Sequence, residues 1–551
     1  MDNIGQRHLD ARPWIASYGN IPSEIDADTY RSVTHMLEHA MHVFADRPAF
    51  RAFGHTLTYA DVDRLSRDFA AFLQNVVGIE KGDRVAVMMP NLLAFPISFL
   101  GIIRVGAVQV NINPLYTPRE LEHQLRDAGV DVIVAYTGST GVVADVAEKV
   151  ALRHIVTIGP GDGTQSDLPT PPVDSRLRVT VSFREALAAG AGLPLEPVDL
   201  TGDDLLLLQY TGGTTGLSKG AALTHRNLVA NAEQFKAFMP TSTRPGREVI
   251  VTVLPLYHIY ALMFNFITYF SIGADNWLVV NPRDTGALVE TLRLSRPTCF
   301  MGVNTLYAAL AMHPGLKDVD FSNLRLAGGG GAAIVPATSA RWQEVTGVFI
   351  HEGYGLSETS PALTFNPEYI PAFSGTAGLP LPSTDIRLLT ANGWSTTPGE
   401  TGEICAKGPQ VMPGYWNQPE ATRAAFTADG YFRTGDVGMF DEKGFLKIVD
   451  RLKDMIIVSG FNVYPNEVEA VAAACAGVSV CACVGEPDER TGEALRLFVV
   501  REPGVTLAEE QIIEYCRREL AAYKVPKSVT FVEMLPTSAV GKVLRRKLRH
   551  A

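Results

Sequence analysis

The stretch Leu205-Leu206-Leu207-Leu208-Gln209-Tyr210-Thr211-Gly212-Gly213-Thr214-Thr215-Gly216-Leu217-Ser218-Lys219-Gly220 runs an apolar segment straight into a loop. Leu205 to Tyr210 reads as a buried strand. From Thr211 onward, ten residues hold four glycines, three threonines, a serine and a lysine. Glycine lets the backbone come close to an anion and turn its N–H groups inward. The hydroxyls add donors and Lys219 adds charge, so the composition predicts a phosphate-holding loop. A helix is expected from Thr224 through Asn227, Leu228 and Ala232.

Two known loop patterns test this reading. The Walker pattern ends in Gly-Lys-Ser/Thr, whereas here the order is Lys219-Gly220. A P-loop kinase or ATPase is therefore disfavoured. The nucleophile-elbow pattern G-x-S-x-G does fit Gly216-Leu217-Ser218-Lys219-Gly220. An elbow follows its strand at once, but this strand ends six residues before Gly216. A serine hydrolase using Ser218 stays as the alternative from a different enzyme class.

Working outward from the loop, strands and helices alternate. Thr58-Tyr59-Ala60-Asp61 fits a capping box, with Val62, Leu65, Phe69 and Phe72 at helical spacing behind it. Arg84–Met89 reads as a strand, Ala94–Gly106 as a helix and Ala107–Ile112 as a further strand. That alternation predicts an α/β fold with covered sheet faces. Gly159–Ser175 and Ala188–Pro197 read as loops. Near the end, Thr506 and Glu509 suggest a second capping box, followed by an apolar stripe of Leu507, Ile512, Ile513, Cys516 and Leu520. The chain has 551 residues, enough for two or more domains.

Composition sets further bounds. The net charge is -11, opposite to that of a duplex-binding protein, so nucleic acid is not an expected partner. The six cysteines form no C-x-x-C pair, which leaves zinc and redox motifs unsupported and suits a reducing cytoplasm. Met1–Ala16 contains no apolar h-region, so no signal peptide is expected. Val249–Ala274 contains no Asp, Glu, Lys or Arg and has the length of a membrane span. Pro255, His258 and Asn265 interrupt it, and it reads instead as buried strand, loop and buried helix.

Further motifs lie downstream. They are Gly328-Gly329-Gly330-Gly331-Ala332, Glu352-Gly353-Tyr354-Gly355-Leu356-Ser357-Glu358-Thr359, Tyr431-Phe432-Arg433-Thr434-Gly435-Asp436, Asp450-Arg451-Leu452-Lys453-Asp454 and Pro536-Thr537-Ser538-Ala539-Val540-Gly541-Lys542. In this order, over nearly the whole chain, they resemble the adenylate-forming superfamily of acyl-CoA synthetases, luciferases and peptide-synthetase adenylation domains. Thr224-His225-Arg226-Asn227, Asn281-Pro282-Arg283-Asp284, Gly302-Val303-Asn304-Thr305-Leu306 and Val458-Ser459-Gly460-Phe461-Asn462-Val463-Tyr464-Pro465-Asn466-Glu467 are similar to its bacterial long-chain fatty acid branch.

The resemblance implies a large N-terminal multi-subdomain α/β domain (1–450), a hinge (451–453, with Lys453 the pivot) and a small mobile α+β C-terminal domain (454–551). It implies that ATP is held by Thr211, Gly212, Gly213, Thr214, Thr215, Gly216, Gly330, Gly331, Glu352, Gly353, Tyr354, Ser357, Asp436 and Arg451. Tyr354 would stack on adenine, Asp436 would take the ribose hydroxyls and Glu358 would hold Mg²⁺. The glycine run 328–331 reads as a close-approach loop beside the nucleotide. Ser357 stands where the family often has Thr, and Leu452 where relatives often have Lys. Lys219 and Lys542 would supply charge to the attacking carboxylate and the α-phosphate. Ser459, Gly460 and Phe461 would take the CoA arm once the terminal domain has rotated. Tyr257 and His258, in Pro255-Leu256-Tyr257-His258-Ile259-Tyr260, would lead to the acyl pocket.

The implied reaction joins an acid to CoA through an acyl-adenylate, with ATP giving AMP and pyrophosphate. The implied acid is a medium- to long-chain fatty acid. A dicarboxylic, alicyclic or aromatic acid is the alternative. The implied cofactor is Mg²⁺, with ATP and CoA as co-substrates. The resemblance also leaves open contact with the inner face of the cell membrane, a homodimer, and a protein acetyltransferase acting on Lys542.

Overall fold

The computed structural model describes residues 12–164, 166–211, 218–459, 461–538 and 541–549. The sequence-predicted Gly212, Gly213, Thr214, Thr215, Gly216 and Gly460 lie outside the described residues. The chain divides into two compact units. The larger comprises 18–384 and 407–427; the smaller comprises 1–17, 385–406 and 428–551.

In the larger unit, one sheet orders Gly414–Tyr415, Lys219–Thr224, Leu205–Thr211, Val108–Asn111, Arg84–Met88, Val132–Tyr136, His154–Ile158 and Thr180–Ser182. From Leu205–Thr211 to Thr180–Ser182 the neighbours run parallel. Lys219–Thr224 then turns back antiparallel on Leu205–Thr211, pairing Thr211 with Lys219. Leu206, Leu207 and Leu208 are fully buried, as a strand covered on both faces requires. The expected helix follows as His225–Phe238, its N-cap Thr224 accepting from the Asn227 N–H.

A second sheet in this unit orders Leu379–Pro380, Ala362–Phe365, Ile350–Gly355, Leu326–Gly329, Cys299–Gly302, Val249–Thr252, Asp275–Leu278, Pro48–Ala52 and His55–Thr58. Its middle is parallel and its two ends are antiparallel. The helix Tyr59–Phe72 begins at the predicted capping box, with Thr58 and Asp61 satisfying each other's backbone N–H. Val62, Phe69 and Phe72 are buried and Leu65 is partly so. The uncharged stretch from Val249 resolves into the buried strand Val249–Thr252, a loop, and the buried helical turns Ala261–Thr268 and Tyr269–Ser271. Among the described residues, no helix is long and apolar enough to cross a membrane.

The smaller unit holds two sheets. One orders Gly393–Ser395, Asp385–Thr390, Gly402–Lys407, Phe432–Phe440 and Leu446–Arg451. The other orders Phe461–Val463, Ile456–Val458, Gly492–Arg501 and Val478–Asp488, with Ser528–Phe531 added parallel to Gly492–Arg501. Ile456, Val463, Val468, Cys483, Leu497 and Ile512 form its terminal core. All six cysteines are buried and unpaired.

Two local expectations are corrected. The late helix starts at Glu509 rather than beside Thr506, with the Gln511 side chain accepting the Ala508 N–H at 2.8 Å. Glu509 is diverted because its carboxylate accepts the Val529 N–H at 2.8 Å. Gly328 and Gly329 lie inside the strand Leu326–Gly329, not in a loop. A Cβ on Gly329 would sit 2.7 Å from Ile334 and 2.8 Å from Ile350, so side-chain packing against the strand excludes anything larger.

Thr58→Ala removes one half of the capping box and is expected to cost about 1 kcal/mol. The check is a lowered urea midpoint for the transition of the larger unit, with native circular dichroism retained before it.

Candidate active site

In the larger unit, three segments distant in sequence meet at Tyr415. The strand Gly414–Tyr415 pairs with Lys219–Thr224, setting Tyr415 opposite Ala221. The Trp416 N–H donates to the Gly220 carbonyl at 2.8 Å. The Lys219 ammonium lies 5.3 Å from the Tyr415 ring centroid, within cation–π range. On its other side the Tyr415 hydroxyl donates to Glu358 Oε1 at 2.8 Å. Burial, then the Glu358 charge, pushes the Tyr415 phenol far up, so it remains a donor. Glu358 itself is buried. The fold thus brings Lys219 and Glu358 together around a tyrosine that the sequence reading missed; a Gly-Tyr-Trp triplet after a proline carried no local signal.

The motif 352–359 leaves the second sheet at this point. Ile350–Gly355 is a strand pairing Tyr354 with Thr364, and Ser357–Thr359 forms one helical turn. The close approach occurs at Gly355, where a Cβ would fall 1.8 Å from the Pro361 carbonyl oxygen. Tyr354 and Ser357 are half-buried there. Gly353 pairs with Phe365, and a Cβ on Gly330 would meet the Gly353 carbonyl oxygen at 3.4 Å and the Tyr260 ring at 3.5 Å. Gly331 has φ +76°, the left-handed conformation that glycine adopts without cost. Burial pushes the Glu352 carboxyl up to about 8, against a hydrogen bond from the Ile334 N–H. Near neutrality Glu352 is therefore largely the neutral acid, not the anion its residue type suggests.

The predicted acyl segment also joins this unit. The Tyr257 carbonyl accepts from Gln209 Nε2 at 3.3 Å. Gln209 in turn accepts from Asn111, which accepts from Gln109 at 2.7 Å, a chain of buried amides across two parallel strands. His258 Nδ1 accepts the Tyr260 N–H at 3.2 Å. Burial raises the Tyr257 phenol to about 12. Thr211 ends its strand with its hydroxyl directed to the Lys219 carbonyl at 3.5 Å. Ser218 precedes a strand rather than a helix, so the strand–turn–helix context of a nucleophile elbow is absent and the hydrolase reading falls.

The smaller unit carries a second cluster. Asp436 and Arg451 are register partners on neighbouring strands, joined by a 3.0 Å ion pair. Asp436 is 4% exposed. Lys542 projects from a turn in which Ser538 N–H donates to the Lys542 carbonyl at 2.8 Å and Gly541 takes φ +73°. Burial brings the Lys542 ammonium down to about 8; Arg451, Lys453 and Arg545 push the same way and Asp436 opposes. Burial likewise lowers Lys453 to about 8. Ser459 takes φ +51° and donates its N–H to Thr491. Phe461 is exposed and stacks on Tyr523 at 4.8 Å.

The sequence profile of AMP-binding enzymes matches residues 37–416, and that of their C-terminal domain matches residues 467–542. The chain belongs to this family of adenylate-forming acyl-CoA synthetases. A long-chain-fatty-acid–CoA ligase of Salmonella typhimurium is 46% identical over 97% of both chains. One from Escherichia coli O6:H1 is 45% identical over 97% of both. Among solved structures, an anthranilate CoA ligase in complex with anthranoyl-AMP aligns with a TM-score of 0.85 at 26% identity, covering 96% of this chain and 98% of that one. The α/β fold, with a large N-terminal domain and a smaller C-terminal one, is the family's.

Gly355→Ala forces a methyl group onto the Pro361 carbonyl and shifts the turn that carries Glu358. A displacement of about 1 Å at such a site costs about 10²-fold in rate. The check is the rate of adenylate formation, measured with a thermal unfolding scan to show that the variant is folded.

Proposed function

We propose that the protein is an ATP-dependent long-chain fatty acid–CoA ligase that works through an acyl-adenylate. The observation that carries this reading is the meeting of Lys219, Tyr415 and Glu358, which sets a buried carboxylate near Lys219, the cation at the described end of the sequence-predicted phosphate loop. Full-length similarity to curated long-chain ligases supports the acid class. A feruloyl-CoA synthase of Amycolatopsis is 36% identical over 91% of the chain, so a ring-bearing acid is the second reading.

Each residue has a chemical task. A carboxylate is a poor electrophile until its oxygen is made a leaving group. Attack on the α-phosphate of ATP does this and releases pyrophosphate. Such an in-line displacement depends on positioning and charge neutralisation. Lys219 and Lys542 supply positive charge, and Asp436 accepts from the ribose hydroxyls with Arg451 beside it. Tyr354 offers the aromatic face for adenine, lined by Gly330, Gly331, Glu352 and Gly353, and Ser357 offers a hydroxyl to phosphate. Glu358 is a fixed, buried oxygen donor of the kind Mg²⁺ takes alongside phosphate oxygens; bound there, the ion would neutralise phosphate charge. Tyr257 and His258 line the approach of the acyl chain. The CoA thiol then displaces AMP beside Ser459 and Phe461. A pivot at 451–453 separates the adenylating domain 1–450 from the lid 454–551, and cytoplasmic ATP and CoA place the enzyme there.

Purified protein with ATP and a C16 acid is expected to yield AMP and pyrophosphate, and to form thioester only when CoA is added. Production of ADP and phosphate instead would overturn the reading. A medium-chain or aromatic acid turning over faster would keep the chemistry and change the substrate.

The Lys542 ammonium titrates near 8, so pyrophosphate release should fall as pH rises through that value and the charge is lost. Thioester formation from supplied acyl-adenylate should instead rise with the thiolate fraction of CoA. Stopped-flow measurement of the two half-reactions across pH 6.5 to 9.5 checks the split. The lowered basicity also leaves about a tenth of Lys542 as free amine at pH 7, the form a protein acetyltransferase would modify.

A further inference from the structure

Asp450 is the next-to-last residue of the strand Leu446–Arg451 and immediately precedes the pivot. Its side chain is completely buried. One carboxylate oxygen accepts the Arg451 N–H at 2.7 Å; the other accepts the Asn466 N–H at 2.8 Å. Asn466 is the second residue of the helix Pro465–Ala473, whose N-cap Tyr464 makes no side-chain cap bond. An orphan N–H of that helix is therefore met by a carboxylate from the far side of the pivot, where the helix dipole favours negative charge.

Asn466 extends the link. Its Nδ2 donates to the Val449 carbonyl at 3.2 Å, and its Oδ1 accepts from Arg545 at 2.6 Å. Arg545 lies three residues beyond Lys542. Its guanidinium also binds Glu469 through two bonds of 3.0 and 2.7 Å, and lies 3.9 Å from Asp450 and 3.6 Å from Asp454. The contacts of Arg545 with Glu469, Asp454 and Asn466 stay within the segment after the pivot. Those of Asp450 and Val449 with Asn466 and Arg545 cross it.

We propose that Asp450, Asn466 and Arg545 form a latch across residues 451–453 that holds Lys542 beside Asp436 and Arg451 for adenylation, and that this latch must open before thioester formation. The proposal rests on the roles given above to Lys542 and the pivot. Asn466 and Arg545 are positioning residues. They touch no reacting atom and act through the placement of Lys542. A rotation that carries the helix Pro465–Ala473 away from Asp450 exposes the carboxylate to water and leaves the Arg545–Glu469 pair intact. The cost of opening is thus confined to the few bonds that cross the pivot.

The test uses Asn466→Ala in the full-length protein. The substitution keeps the backbone bond to Asp450 but removes the side-chain bonds to Arg545 and to the Val449 carbonyl, and is expected to slow pyrophosphate release about tenfold. Thioester formation from supplied acyl-adenylate should stay unchanged or quicken. Trypsin cleavage after Arg451 and Lys453 should accelerate about tenfold, a readout that does not need ligase chemistry. In a Lys542→Ala background, Asn466→Ala should add no further loss, because both act through one ammonium. Arg545→Lys keeps the charge but loses the fork geometry, and should fall between wild type and Asn466→Ala; it decides the matter if Asn466→Ala lowers the thermal midpoint. Equal slowing of both half-reactions, a second tenfold loss on the Lys542→Ala background, or unchanged cleavage at the pivot would overturn the latch. Absence of AMP from the wild-type protein would overturn the ligase reading instead.

Discussion

The hydrogen bond from the Tyr415 hydroxyl to Glu358 is the contact on which the rest of the larger unit's site depends. A buried carboxylate must be paired or it gives up its charge. Tyr415 supplies the partner, and it reaches Glu358 only because its short strand is fixed against Lys219–Thr224. That strand exists because the chain reverses after the glycine-rich loop and pairs back on Leu205–Thr211. One neutral donor thus couples the end of the phosphate-type loop in one sheet to the carboxylate leaving the other. Lys219 over the same ring adds positive charge at this point.

The smaller unit solves a different problem. Arg451 and Asp436 satisfy each other across two strands, so neither needs a bound partner to be stable. Lys542 is buried and also lies among three other cations with one carboxylate in opposition, so burial first and then its neighbours make its ammonium easily lost. A negative group arriving there would relieve that crowding, whereas a neutral one would not. This electrostatic strain is tolerated because backbone bonds at Ser538 and Gly541 hold Lys542 in place.

Sequence periodicity identified the buried strand at Leu205, the capped helix at Tyr59 and the strand–helix alternation, because local apolar spacing and capping chemistry determine those elements. The family motifs pointed to Glu358, Asp436, Arg451 and Lys542. Tyr415 was not legible: its role comes from an antiparallel pairing to a strand nearly two hundred positions earlier in the chain, and nothing nearby signals it. The strand Lys219–Thr224 was missed for the same reason, since Lys-Gly-Ala-Ala-Leu-Thr has little β character until it is paired. The late helix starts two residues beyond the cap that its sequence suggests because Glu509 serves the Val529 backbone, a tertiary demand that outcompetes the local cap. The neutral state of Glu352 likewise depends on burial that no residue pattern reveals.

The burial of every cysteine has a consequence for an enzyme whose co-substrate is a thiol. Desolvation raises all six thiols, Cys299 and Cys405 to about 12 and Cys516 to about 11, with Cys475, Cys481 and Cys483 also raised. Exchange with a disulfide requires an accessible thiolate. With all six thiols buried and held up in pKa, oxidised CoA finds no readily ionised sulfur on the folded protein to capture it. The protein can work in a fluctuating thiol pool without becoming its own mixed disulfide.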